Sequence, residues 1–166
     1  MSLKKYTNKW KEKVKTKKAF RSFTSHAMPF RSITGNFNTN VKNKEKYKNE
    51  LSTIMKYLKS KPINTPTLYK GIRNKNANVF LKTGVFKTRA PTSSSLYWYP
   101  AMKFTNFNNP VLLIIPPGKY HAAVMGKRGI NSANPDEFEV VLPPGEFKLI
   151  KRNNNMKGYI VNYKEK

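Results

Sequence analysis

The chain has 166 residues, no cysteine and two histidines, and it sets 33 lysines and arginines against 8 acids for a formal net charge of +25. The length suits one domain with a real core, while the missing thiols exclude disulfides, thiolate zinc sites and cysteine nucleophiles. With only His26 and His121 to draw on, histidine triads and multi-histidine metal sites are disfavoured, and acid/base chemistry falls to carboxylates.

The opening, MSLKKYTNKWKEKVKTKK, lacks the apolar centre of a secretion signal, and no apolar run reaches the length of about 18 residues needed to span a membrane, so a cytoplasmic protein is expected. Leu3, Tyr6, Trp10 and Val14 recur at helical spacing among lysines and predict a basic amphipathic helix of about four turns. The following FRSFTSHAMPFRSITGNFNTN is rich in Ser, Thr, Asn and Gly and reads as irregular or as short helical pieces. A second helix follows in KEKYKNELSTIMKYLKSK, where Tyr47, Leu51, Ile54, Met55 and Leu58 make one face and Pro62 ends the pattern.

From Thr67 the period becomes that of strands: TLYKGI, GVFKT, VLLII, EFEVVLP, then EFKLIKR and YIVNYK as a closing antiparallel hairpin with Gly158 near its turn. A helical piece is expected around LYWYPAMKF, with Pro100 at its start or limiting it to one side. Helices gathered before strands predict an α+β fold. No repeat or detachable linker divides residues 1–166.

Three of the eight acids, Asp136, Glu137 and Glu139, fall within four positions. In a strand running from Glu137 to Leu142, Glu137 and Glu139 would face the same way, about 6 to 7 Å apart along the backbone. Like charges so close repel unless a cationic group or a shared proton relieves them. Such a pair suits stabilisation of positive charge developing on a sugar, with the second carboxylate handling a proton or a cationic acceptor. An exposed strand face among lysines would show the same pair.

The setting of the pair distinguishes the two readings. Glu137-Phe138-Glu139-Val140-Val141-Leu142-Pro143-Pro144-Gly145 follows Leu68-Tyr69-Lys70-Gly71, then Ser93-Ser94-Ser95 with Ala101 and Phe104, then VLLIIPPG from Val111 to Gly118. In this order the motifs resemble those of the mono-ADP-ribosyltransferases that carry an Arg, a Ser-Thr-Ser and a Glu-x-Glu, a family of bacterial toxins and bacteriophage enzymes. TGNFNTNV, Thr34 to Val41, is similar to that family's helical start, so the resemblance runs from Thr34 to the C-terminus. One departure matters, the family's Arg being Lys70 here: an ammonium is a point charge without the planar fork that grips phosphate bidentately.

The resemblance implies a core of N-terminal helices on a mixed, mainly antiparallel pair of small sheets, with residues 1–33 as a basic helical extension and 34–166 as the catalytic core. It implies NAD+ as co-substrate, no metal, and transfer of ADP-ribose to an arginine of a target protein with release of nicotinamide. Glu139 is implied as the catalytic carboxylate and Ser93 as its brace, with Ser95 supporting strand and pocket. Glu137 is implied to pair with and activate the acceptor guanidinium. Lys70, Gly71, Ser93, Ser95 and Phe86 are the implied cofactor-binding residues, with Tyr97 or Trp98 as further candidates to stack on nicotinamide or adenine; for each aromatic, core packing is the competing job. RGINSANPD, Arg128 to Asp136, corresponds to the acceptor-recognition loop. A monomer is expected, located in the host cytoplasm if phage-encoded or delivered as a toxin. The alternative is a catalytically weak or inactive relative whose basic surface docks on nucleic acid or ribosomes, a surface that lysine and asparagine used as common surface residues would also produce.

Overall fold

The structure is a computed structural model that describes residues 14–24, 44–60, 62–125, 138–155 and 158–166. Leu3, Tyr6 and Trp10 of the first expected helix lie outside these residues, but helix is present over 14–24 (α1). It runs five residues, 20–24, into the stretch expected to be irregular or made of short helical pieces. The physical reason is a short apolar stripe, Ala19, Phe20 and Phe23, which is fully buried and supplies a tertiary contact that overrides the weak local signal.

α2, Lys44–Ser60, presents the expected face. Ile54 and Leu58 are completely buried, with Tyr47, Leu51 and Met55 packed around them. This face and the α1 stripe meet Ala123, Met125 and Val141 in one of two apolar clusters. Residues 14–24, assigned by sequence to an extension, therefore pack against the body of the protein.

Among the described residues ten strands follow: β1 (Pro62–Thr65), β2 (Leu68–Ile72), β3 (Val85–Lys87), β4 (Thr92–Ser95), β5 (Val111–Ile115), β6 (Gly118–His121), β7 (Ala123–Val124), β8 (Glu139–Leu142), β9 (Gly145–Asn153) and β10 (Gly158–Glu165). Two helices interrupt them, α3 (Asn74–Thr83) and α4 (Trp98–Met102). α4 is the expected piece, and Pro100 is tolerated because a first-turn amide needs no intrahelical acceptor. α3 was not expected, since NKNANVFLKT offers just two buried anchors, Ala77 and Phe80, and ends on Gly84 in the left-handed conformation at φ 75°. Helices and strands are thus less segregated along the chain than the sequence predicts, yet the class is α+β.

The described strands form a two-stranded sheet, β1–β6, and an eight-stranded sheet in the order β3-β9-β10-β5-β2-β4-β8-β7. All pairings are antiparallel except β5 with β10. VLLII becomes β5, buried at all five positions, as befits a strand covered on both faces. The second apolar cluster fills one side of this sheet, from Phe86 and Phe147 through Leu113 and Ile115 to Val140 and Leu142. No described helix is long and apolar enough to cross a membrane.

Candidate active site

Three adjacent strands carry the residues singled out by their order in the chain: β2 holds Lys70, β4 holds Ser93 and Ser95, and β8 holds Glu139. Tyr69 is paired with Ser95 across one ladder and Ser95 with Glu139 across the next. Directly paired residues project from the same face, so Tyr69, Ser95 and Glu139 stand in a row. Ser93 is two positions from Ser95 and shares its face, diagonal to Glu139.

From that diagonal position the Ser93 hydroxyl donates to Oε1 of Glu139 at 2.7 Å. The Lys70 ammonium donates to the Ser93 backbone oxygen at 2.9 Å. One serine thus links a cation and a carboxylate, both nearly removed from solvent: Lys70 is 8% and Glu139 6% exposed. Burial of either charge alone would be costly, and opposite charges joined through hydrogen bonds reduce that cost.

The other serines have separate tasks. Ser95, also buried, accepts a hydrogen bond from the Tyr97 amide at 3.2 Å and so shapes the turn into α4. Ser94 points to the opposite face and donates to the Val140 carbonyl at 2.8 Å, tying β4 to β8.

Gly71 has a packing reason of its own. A Cβ there would lie 2.1 Å from the Ala101 carbonyl oxygen, so only glycine lets α4 press on β2 next to Lys70. Phe86 is placed elsewhere. It is buried on β3, stacked against Phe147 at 5.6 Å between ring centroids, and β3 is at the far end of the eight-stranded sheet from β8. Its apolar surface is spent on the core, which removes it from the cofactor-binding set.

β8 starts at Glu139, and Phe138 before it has φ 48°, a left-handed conformation that breaks strand alternation. Glu137 and the segment Arg128 to Asp136 lie outside the described residues.

That turn of the backbone brings Phe138 out to half-exposure against Tyr97, edge to face at 4.9 Å. Tyr97 stacks on Tyr99 at 5.6 Å, and Trp98 meets Tyr99 edge-on at 6.0 Å. These four exposed aromatics form a shelf beside Glu139, held by the Leu96 amide donating to the Phe138 carbonyl at 3.1 Å. Tyr97 and Trp98 were named from sequence; Tyr99 and Phe138 were not, because nothing local distinguishes an exposed aromatic from a core one.

Among the described residues no three metal-ligating side chains gather. No protein-family model matches the chain, and no curated protein matches it by sequence. Solved structures do match. ADP-ribosyltransferase Vis, in complex with an inhibitor, superposes with a TM-score of 0.62 at 16% identity, over 89% of this chain and 71% of Vis. C3stau2 from S. aureus, with NAD, gives 0.60 at 16% identity, over 90% of this chain and 85% of that one. The eucaryotic mono-ADP-ribosyltransferase ART2.2 gives 0.63 at 20% identity, over 92% and 66%.

The fold is that of the ADP-ribosyltransferases.

Within this ADP-ribosyltransferase fold, β2, β4 and β8 are neighbours, so Lys70, Ser93 and Glu139 meet although 23 and 46 positions separate Ser93 from the other two.

Proposed function

We propose that the protein is an NAD-dependent mono-ADP-ribosyltransferase that transfers ADP-ribose to arginine side chains of a target protein and releases nicotinamide. The observation that carries this reading is the Lys70–Ser93–Glu139 chain on three adjacent strands. A buried carboxylate, a hydroxyl that orients it and a cation bonded to the same serine's backbone oxygen supply groups for a ribose hydroxyl and a phosphate.

Glu139 accepts a hydrogen bond from the nicotinamide-side ribose and stabilises the positive charge that grows there as the glycosidic bond breaks. The bonding electrons leave with nicotinamide, which departs neutral. A guanidinium nitrogen then bonds to the ribose carbon and gives up a proton. Ser93 holds the Glu139 carboxylate in place so that little reorganisation accompanies charge development. Lys70 supplies the phosphate counter-charge, as an ammonium instead of a guanidinium fork. The aromatic shelf offers flat faces for the nicotinamide or adenine ring. Arginine as acceptor rests on Glu137, whose carboxylate would pair with the incoming guanidinium.

The test is incubation with labelled NAD and agmatine as a free guanidine acceptor, followed by detection of ADP-ribosyl agmatine and nicotinamide. Product that disappears in Glu139→Gln and is lost to simple NAD hydrolysis in Glu137→Gln is expected. Undiminished product in Glu139→Gln would overturn the mechanism. Salt-sensitive binding of nucleic acid with no thermal stabilisation by NAD would instead favour the inactive, docking relative.

A further inference from the structure

The outer stretch of β9 has features that the transferase reading does not use. From Lys148 to Arg152 the five residues KLIKR are all exposed, while the same strand is buried at Gly145 and Phe147. β3 pairs with β9 only as far as Lys148, so from Ile150 onward the outer edge of β9 has no strand beside it among the described residues. A bulge adds to this: Lys151 pairs with Ile160 and Leu149 with Val161, which leaves Ile150 as the extra residue, 57% exposed.

Three cations therefore project from one short ribbon, and among the described residues none is ion-paired; Glu146, the one acid on β9, bridges to Lys87 instead. Arg152 is held over the Tyr159 ring at 5.6 Å, which orders its guanidinium plane. Beside it is a hollow of about 420 Å³ lined by Lys151, Arg152, Asn153, Asn154, Asn155 and Ile160. Its lining is cationic and amide-rich, with no carboxylate.

We infer that this ribbon is a docking site for single-stranded nucleic acid, separate from the active site. Lys148 and Lys151, on one face of the ribbon through their pairing with Asn162 and Ile160, and Arg152, on the other face with Tyr159, contact phosphates of a strand that runs along the ribbon's edge, while Ile150 offers an apolar contact and the Arg152–Tyr159 pair a flat surface to the bases. The charge of the whole chain, +25, favours a polyanion over a neutral partner. Lysines also guard exposed strand edges against pairing with other chains, but an edge guard requires neither a hollow nor exposed apolar side chains between the charges. β9 lies five steps from β8 in the sheet order, roughly 24 Å at the usual strand spacing, so the site does not overlap Glu139.

The experiment measures anisotropy of a fluorescent oligouridine of about 20 nucleotides against the intact protein, at salt from about 0.05 to 0.2 M. Lys148→Gln/Lys151→Gln/Arg152→Gln is compared with Lys48→Gln/Lys56→Gln/Lys59→Gln, three exposed lysines of α2. The ribbon variant is expected to bind about tenfold or more weaker, with a salt slope shallower by about two, since each phosphate contact on a single strand contributes roughly 0.7. NAD turnover in the ribbon variant stays at the wild-type value, so this result is read independently of the transferase assay. Equal losses in both variants would reduce the effect to diffuse charge and overturn the proposal. So would unchanged binding in the ribbon variant, or displacement of the oligonucleotide by polyglutamate at equal charge concentration, which would mark an acidic protein as the partner.

Discussion

Ser93 and Glu139 are 46 positions apart in the chain, yet hydroxyl and carboxylate meet at 2.7 Å. Because the serine backbone oxygen also receives the Lys70 ammonium, a change at any of the three should be felt by the other two.

Ser93→Ala removes a hydrogen bond to a charged group, worth about 1.5–3 kcal/mol. NAD turnover is expected to fall about 10- to 100-fold, with KM for NAD changed less than kcat. Glu139→Gln should fall further, by a factor on the order of 10²–10³. Steady-state release of nicotinamide measures both. Wild-type rates in Ser93→Ala would take the serine out of the reaction.

Lys70 and Glu139 are oppositely charged and buried, so their contributions to stability are coupled. Lys70→Met is expected to cost about 3 kcal/mol, because the carboxylate loses a nearby compensating cation. In the double variant with Glu139→Gln, urea unfolding should show a cost smaller than the sum of the singles by about 0.5 kcal/mol or more. Strict additivity would mean that the linkage through Ser93 carries no energy. Lys70→Arg, which restores a planar fork, is expected to lower KM for NAD.

Gly71→Ala tests the contact between α4 and β2. With 2.1 Å between the added carbon and the Ala101 oxygen, backbone must move, at a cost of about 1–3 kcal/mol. The shift also reaches Lys70, so the variant should lose both melting temperature and NAD turnover. A fully stable variant would show that α4 is free to slide.

Tyr163 governs behaviour at high pH. Its hydroxyl donates to the Pro143 carbonyl at 2.6 Å, and burial, with the charge of Glu165 and the neighbouring Tyr120 adding to it, pushes its ionisation well above the ordinary tyrosine range. The folded state therefore holds this proton more tightly than the unfolded chain does. Its contribution is fully present below about pH 10 and is lost as pH rises above that value. Tyr163→Phe should be less stable at neutral pH by about 1 kcal/mol, yet lose stability less steeply in alkali. Parallel pH curves for the two proteins would refute this.

Much was decided locally. Tyr47, Leu51, Ile54, Met55 and Leu58 recur at 3.6-residue spacing, and VLLII is apolar throughout, because each pattern states which face must leave water whatever it packs against. The order Lys70, Ser93 to Ser95, Glu139 was legible through its resemblance to a known motif order, although TSSS has no apolar alternation to mark it as the strand β4. Other features have no local mark. The helix over 14–24 and α3 depend on a few buried anchors; the left-handed turn at Phe138 violates the preference of its own side chain. Phe86 looked as suitable for a ligand as Tyr97, until the sheet order put one in the core and the other on the shelf. Local pattern marked the faces of α2 and β5 that must leave water and showed which chemical groups were available. Only the tertiary structure decided which of them meet, because strand order is set by packing between segments far apart in the chain, and a 2.7 Å contact between Ser93 and Glu139 exists only once β4 and β8 are neighbours.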